Sequence, residues 1–438
     1  MSSLDSISNF ETRCAKIKIL CLLEIKSFTF DRNTLTRSFR IYILRRNWLH
    51  SIIYAHVLYM RKEEFKMKQR KMVFATIVSL VLFFGAQAVF AAPTIKIGVA
   101  GAHSGDLASY GLPTVNAAKL VVKEYNDKGG INGQKVELVI EDDQCKPEIA
   151  TNVAAKLVST KVVAVIGHIC SGATKAAMGI YKDSKLVCIS PSATTPPLTQ
   201  SGEYPNFFRT IAPDDAQARL ATDFLVNDLK VKKIAVLHDK GDYGKGFAES
   251  VKEFAEAKGV QVALFEGINP GAPDYSAVVN KVGNAKVDAV VWGGYHPEAS
   301  KLVQQMKEKG INVAFISEDG IKDNTFIEVA GKYAEGVYAT GPTDTSSNPM
   351  ATKAIEAHKK EFGSEPGAFF LNAYAAAQAL LNAIAKAKST DYDKIVAALQ
   401  SEYVDTVLGR ITFDKKGDIV GYGNSLFQVQ NGKFVVLK

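Results

Sequence analysis

The part of this chain that can fold has almost no charge imbalance. Of 438 residues, 53 are Lys or Arg and 45 are Asp or Glu, but the surplus is local. Residues 1–66 hold 12 basic and 6 acidic side chains, residues 67–92 hold 3 and none, and the remaining 346 hold 38 and 39. Nucleic-acid binding leaves a basic stripe on the folded domain, so no nucleic-acid partner is expected. Cysteine is also scarce: there are 5, and only Cys145, Cys170 and Cys188 lie beyond residue 92. No cysteine directly follows the one long apolar run, so a bacterial lipid anchor has no acceptor. That run, from about Met72, is interrupted by Gly85 and Gln87 and is short for a bilayer span of roughly 20 residues.

What is present begins with MKQRKMVFATIVSLVLFFGAQAVFA, residues 67–91. A short basic segment, an apolar stretch and small residues before Ala92 make a secretory signal peptide, with cleavage expected after Ala91 and a soluble, exported product. Residues 1–66 would block recognition of that signal, so they read as a disordered leader or a misassigned start, with translation beginning at Met67. In an exported protein two of the three remaining cysteines are expected to pair. Cys188 lies inside the apolar LVCIS. Cys145 follows VELVIEDD and Cys170 follows VVAVIG, the ends of two strands expected to be adjacent and parallel, so Cys145–Cys170 is the expected disulfide.

From Thr94 onward β-rich apolar runs alternate with amphipathic helical ones. TIKIGVA, VELVIED, VVAVIG and LVCIS form one set, and KKIAVLHD, VQVALFE, VDAVVWGG, INVAFIS and EGVYATG a second. Alternation of this kind means parallel sheets covered on both faces, so the expected fold is α/β with two Rossmann-like lobes. FFRTIAPDD and the polar ATGPTDTSSNP, residues 339–349, break the pattern where lobes would join. The Ala-rich helices after residue 349 read as completing the first unit, with the last strands returning to the second.

VIGHICSGAT, residues 165–174, puts His168, Cys170 and Ser171 just past a strand. The G-x-S-x-G elbow of a hydrolase is absent, since Ile169 stands two before Ser171, and a disulfide-bonded Cys170 is no nucleophile. Metal ligation fails for want of two further ligands at suitable spacing. The remaining reading is a helix start that offers free N–H groups and a hydroxyl to a carboxylate or phosphate. SPSATTPPL, residues 190–198, offers hydroxyls at the next strand end, the edge where ligands sit in open parallel sheets. GAHSGDLASYG lacks the G-x-G-x-x-G spacing of a dinucleotide loop, and no cofactor is expected. Asp142 and Asp143 read as a solvated acidic pair at a strand end. Tyr243 and Tyr295 lie just past strand ends in the second set.

Taken in order, GGINGQ, EDDQC, VIGHICSGAT, ISPSATTPPLT, HDKGDYGKG, GGYHPE and FDKKGD resemble the periplasmic leucine/isoleucine/valine-binding proteins of ABC transporters over residues 94–438. The resemblance implies a type I periplasmic binding protein with three hinge crossings, near Pro213, Pro342 and Gly421. Lobe 1 would be residues 93–213 plus 343–422, and lobe 2 residues 214–342 plus 423–438. By matched motif, Ser171, Ser192 and Thr194 would hold the ligand's α-carboxylate and assist with its ammonium, and Asp319 would pair the ammonium. Tyr110, Ile169, Cys170, Tyr243, Tyr295 and Phe369 would surround the side chain, and Cys145 with Cys170 matches the family's disulfide. Asp319 stands where the family has the longer Glu, and Ser192 where it has Ala or Gly. The implied protein is a monomer that binds an aliphatic L-amino acid, docks on a membrane permease and performs no chemistry. The alternative is a ligand-sensing module of a receptor or regulator on the same fold.

Overall fold

The computed structural model describes residues 94–437; the leader and signal peptide expected within 1–91 lie outside the described residues. In chain order the main elements are β1 (Ile95–Gly101), α1 (Ala108–Asp127), β2 (Val136–Asp142), α2 (Pro147–Ser159), β3 (Ala164–Ile166), α3 (Ser171–Asp183), β4 (Val187–Ser190), α4 (Pro197–Gln200) and β5 (Phe207–Arg209). Then come α5 (Asp214–Asn227), β6 (Lys233–His238), α6 (Asp242–Ala257), β7 (Gln261–Gly267), α7 (Ser276–Ala285), β8 (Ala289–Gly293), α8 (His296–Glu308), β9 (Ala314–Ser317), a 3₁₀ turn (Asp319–Ile321), α9 (Asn324–Ala330) and β10 (Tyr338–Pro342). The last part holds α10 (Pro349–Phe362), α11 (Phe370–Ala387), α12 (Tyr392–Ser401), β11 (Val404–Thr406), β12 (Gly409–Phe413), β13 (Ile419–Val420), β14 (Asn424–Gln430) and β15 (Lys433–Val436).

The first sheet runs β2-β1-β3-β4-β5, and the second begins β7-β6-β8-β9-β10 in the same pattern before β14 and β15 extend it. The repeated pattern is all parallel; the β10–β14 and β14–β15 pairings are antiparallel, as is the separate sheet β11-β12-β13. In each sheet the order reverses beside the first strand, between β1 and β3 and between β6 and β8. A crevice opens at the strand C-termini at such a point because successive helices leave on opposite faces.

Alternation along the strands loads both faces. Ile95, Ile97 and Val99 of β1 join Phe370, Leu380 and Ile384 of α11 in one core, while Ala100, Val165 and Cys188 pack on the other face against Leu157 of α2 and Met178 of α3. The Ala-rich α11 thus completes the first sheet, as its low side-chain volume and high helix propensity allow. In the second sheet Leu237, Val290 and Trp292 face α7 and α8, and Val236, Val291 and Ile316 face α5 and α6. Helix ends are set locally: Asn348 caps α10 by accepting from the Met350 amide, Pro349 follows at the first turn, and Gly363 closes the helix at φ 74°, each suited to its position by geometry.

The chain passes between the two sheets at residues 210–213, 343–348 and 421–423. Cys145 and Cys170 are bonded, with Cα atoms 5.5 Å apart. They do not, however, follow adjacent strands, because β1 lies between β2 and β3. The two loops reach each other over the end of β1. Cys188 is free and buried. Among the described residues no helix is long and apolar enough to cross a membrane.

Candidate functional site

The loops that leave the two reversal points face each other. A small chamber between them has Tyr110, Ile169, Ser192 and Phe369 on the first sheet's side and Tyr243, Tyr295, Asp319 and Gly320 on the second's. The free volume inside is about 10 Å³, room for about one water. The chamber opens toward a cleft of about 1010 Å³ through Tyr243 and Tyr295, which line both.

Contacts across the chamber hold the halves together. Tyr110 Oη donates to the Gly320 carbonyl at 2.6 Å and lies 2.6 Å from His296 Nδ1. A phenol has one proton to give, so His296 must donate from Nδ1. Tyr110 also packs across the chamber 6.0 Å from Tyr295; within each side the Tyr243 and Tyr295 rings stack at 4.9 Å and Tyr110 packs 5.8 Å from Phe369. Phe369 adopts φ 60° at the start of α11, a left-handed conformation that costs a β-substituted residue about 1 kcal/mol and turns its ring to the chamber. At the rim Lys175 and Asp242 form an ion pair of 2.7 Å; both are exposed, so it is worth less than about 1 kcal/mol.

Ser171 is the first residue of α3, with Cys170 at the cap position. Its hydroxyl oxygen accepts from the Thr194 and Thr195 amides, each at 3.2 Å, which leaves its proton free to donate. Ser192 Oγ donates to the Ile169 carbonyl at 2.8 Å. Thr194 is fully buried and its hydroxyl has no partner. Ser171, Thr194 and Cys170 do not line the chamber; Cys170 lines the outer cleft. On the opposite side Asp319 Oδ1 accepts from Tyr243 Oη at 2.6 Å and Oδ2 from Gln217 Nε2 at 2.7 Å. Burial raises the Asp319 carboxyl to about 6 against those hydrogen bonds and the charge of Lys322.

Both ring nitrogens of His168 are engaged. Its Nδ1 lies 2.5 Å from Asp143 Oδ2 and its Nε2 2.8 Å from Tyr181 Oη, all three residues being fully buried. Asp143 therefore is not solvated; it also accepts from the Cys145 amide at 2.7 Å. The network clamps the two loops that the disulfide joins. No cluster of three or more His, Cys, Asp or Glu side chains suited to a metal ion is found among the described residues.

Two parallel α/β halves with their reversal points face to face, a closed chamber between them and three crossings of the chain are the plan of one family, and residues 94–433 match the model of the periplasmic binding proteins. The chain belongs to that family. Over 338 residues it is 39% identical to the leucine-, isoleucine-, valine-, threonine- and alanine-binding protein of Pseudomonas aeruginosa, covering 77% of this chain and 90% of that one. It is 36% identical to the Leu/Ile/Val-binding protein of Escherichia coli, over 77% of this chain and 91% of the other. Among solved structures, the branched-chain amino acid transporter substrate-binding protein of Streptococcus pneumoniae, in complex with isoleucine, superposes with a TM-score of 0.72 at 30% identity, covering 79% of this chain and 100% of that one. The fold is the type I periplasmic binding protein fold.

Sequence patterns did not single out His296, Gln217 or the Gly320 carbonyl. His296 was visible in GGYHPE as the residue after a candidate aromatic. Gln217, on the buried face of α5, carried no signal, since only the fold aims its amide at Asp319.

Proposed function

We propose that this protein is a solute-binding protein that captures a branched-chain or related aliphatic L-amino acid between two lobes and hands it to the permease of an ABC transporter. The observation that carries the reading is the meeting of two unlike half-sites. Ser171 at the start of α3, with Ser192 and Thr194, offers hydroxyl and N–H donors from the first sheet's edge; Asp319 and Tyr243 offer an anionic acceptor from the second. An α-amino acid presents −1 and +1 a few ångströms apart, and neither half alone satisfies both. Ligand binding therefore favours closure.

The chamber's walls of Tyr110, Ile169, Tyr243, Tyr295 and Phe369 suit an apolar side chain, and the relatives' names point to the same ligand class. Its free space is too small for leucine, so the halves must part to seat one, with lobes of residues 93–213 plus 343–422 and 214–342 plus 423–438. Burying a leucine side chain contributes roughly 2–3 kcal/mol and each charge-assisted hydrogen bond about 1.5–3 kcal/mol. Together these reach micromolar binding, about −8 kcal/mol, after ordering costs. The protein works after export to the periplasm with cleavage following Ala91, and it makes and breaks no covalent bond in its ligand.

A thermal-shift panel of L-amino acids tests this. Leucine, isoleucine or valine raises the melting temperature, and Asp319→Ala abolishes the rise. No response to any aliphatic amino acid would overturn the reading.

A further inference from the structure

Behind Asp319 stand two acids that the pairing of one carboxylate with one ammonium leaves idle. Glu318 follows β9, is fully buried, and neither of its carboxylate oxygens has a hydrogen-bond partner. Asp214, the first residue of α5, is also fully buried with both oxygens unpartnered. The Asp214 amide donates to the Thr194 carbonyl at 3.0 Å, which fixes the Thr194 loop against the start of α5. The orphan Thr194 hydroxyl, itself fully buried, faces the Asp214 carboxyl. Asp319, by contrast, has both oxygens engaged by Tyr243 and Gln217. Each Asp319 oxygen keeps a lone pair for a further donor, and Glu318 and Asp214 add acceptors that no other residue uses, while an ammonium brings three donors.

The charges around this group are mostly of one sign. Glu318 is faced by Asp214 from α5, by Asp319 beside it and by Asp239 from the end of β6, and Asp214 also by Asp215. Arg209 faces Asp214, but its guanidinium is committed to Asp418 at 2.6 Å and to the Thr194 and Thr195 carbonyls. Lys322 faces Asp319, and its ammonium sits over the Phe427 ring at 4.2 Å. The phenols of Tyr243 and Tyr295 border the group and are un-ionised, their burial pushing them well up. Burial, then like charge, pushes Glu318 and Asp214 well above the carboxylate range. Carboxylates crowded in a dry site cannot all ionise without a cation among them.

We propose that Glu318 and Asp214, with the Thr194 hydroxyl, form alongside Asp319 the seat of the ligand's ammonium, share one proton when no ligand is bound, and release it to solvent as the ammonium enters. The proposal rests on the amino-acid reading above and deepens it. The balance is simple: the ammonium keeps its three protons, one carboxyl proton passes to the buffer, and the charge of the seat is the same before and after. Glu318 thereby selects ligands with a cationic head over isosteres with a neutral one.

Isothermal titration of the protein with L-leucine at pH 7 in phosphate and in Tris, whose ionisation enthalpies differ widely, reads the proton directly. The expected result is about one proton released per leucine, with affinity rising by up to about tenfold per pH unit in that range. In Glu318→Gln leucine binds more weakly and the release per bound leucine falls to near zero. 2-Hydroxy-4-methylpentanoate, which has a hydroxyl in place of the ammonium, displaces no proton. Equal leucine enthalpies in the two buffers would overturn the proposal and leave the amino-acid reading standing. Failure of leucine and every other aliphatic amino acid to bind would overturn that reading and the proposal with it. The wild-type comparison needs no variant, so poor folding of Glu318→Gln would not shield the idea.

Discussion

Tyr110 and Gly320, on opposite sides of the chamber, are joined by a 2.6 Å hydrogen bond from the phenol to the carbonyl. With His296 Nδ1 donating to the Tyr110 phenol oxygen, this is a latch between the ends of the two sheets. Tyr110→Phe leaves the Gly320 carbonyl and the His296 Nδ1–H without their partner. An unmade buried hydrogen bond costs about 1–3 kcal/mol, so leucine should dissociate about 5- to 160-fold faster in stopped-flow fluorescence. A rate within twofold of wild type would show that the latch contributes nothing to closure.

The loops after β2 and β3 are fastened twice, by Cys145–Cys170 and by Asp143 with His168. Closing a loop with a sequence separation of 25 stabilises by about 3.5 kcal/mol in the chain-entropy view. The double substitution Cys145→Ser, Cys170→Ser should lower unfolding free energy by that amount in urea while leaving leucine affinity nearly unchanged, because His168 still holds the loop. Leucine affinity that collapses on reduction would contradict this.

His168→Ala should be worse than losing the disulfide. It strands the Asp143 carboxylate in the interior, and breaking a buried pair from one side costs about 3–5 kcal/mol. The measurement is a urea midpoint for the single variant beside that of Asp143→Asn with His168→Gln, which restores neutral partners and should recover part of the loss.

Asp319 gives the ligand-free protein a pH dependence of definite sign. Its carboxyl is raised by burial to about 6, so between about pH 4 and 6 the native state holds a proton that the unfolded chain has lost. Stability then falls as pH rises through that window, by on the order of 3 kcal/mol. Asp239, also raised to about 6 by burial, acts in the same direction. The difference in melting temperature between wild type and Asp319→Asn, followed from pH 4 to 7 without ligand, should move in favour of the variant as pH rises. A flat difference would mean that Asp319 is not desolvated.

Gly244 and Gly293 let α6 press against the end of β8. A Cβ on Gly244 would stand 2.2 Å from the Gly293 carbonyl oxygen, and one on Gly293 would stand 2.0 Å from the Gly244 oxygen. Backbone cannot yield as a side chain can, so Gly244→Ala must push the helix away and carry Tyr243 with it. The expected loss is about 1–3 kcal/mol, seen in thermal unfolding, together with weaker leucine binding. A variant as stable and as tightly binding as wild type would refute the contact.

The strands, helices and order of elements could be read along the chain because periodicity is local: a run such as TIKIGVA is apolar enough to be buried on both faces, and that much needs no partner. The motifs at strand ends, Ser171, Ser192, Thr194, Tyr243 and Tyr295, were legible for the same reason, since parallel sheets put ligands where strands stop; Asp319 was indicated by the family resemblance. What sequence spacing could not supply was which strand lies beside which. The disulfide looked like a link between neighbours, and it spans β1 because β2 and β3 flank that strand. Asp143 looked like a solvated acid and is sealed against His168, a pairing set by two loops converging from 25 residues apart. Gln217 meets Asp319 from 102 residues away and Tyr110 meets Gly320 from 210. Pairings of that range depend on the crossings between sheets, and those are fixed by packing of the whole chain, which no local pattern encodes.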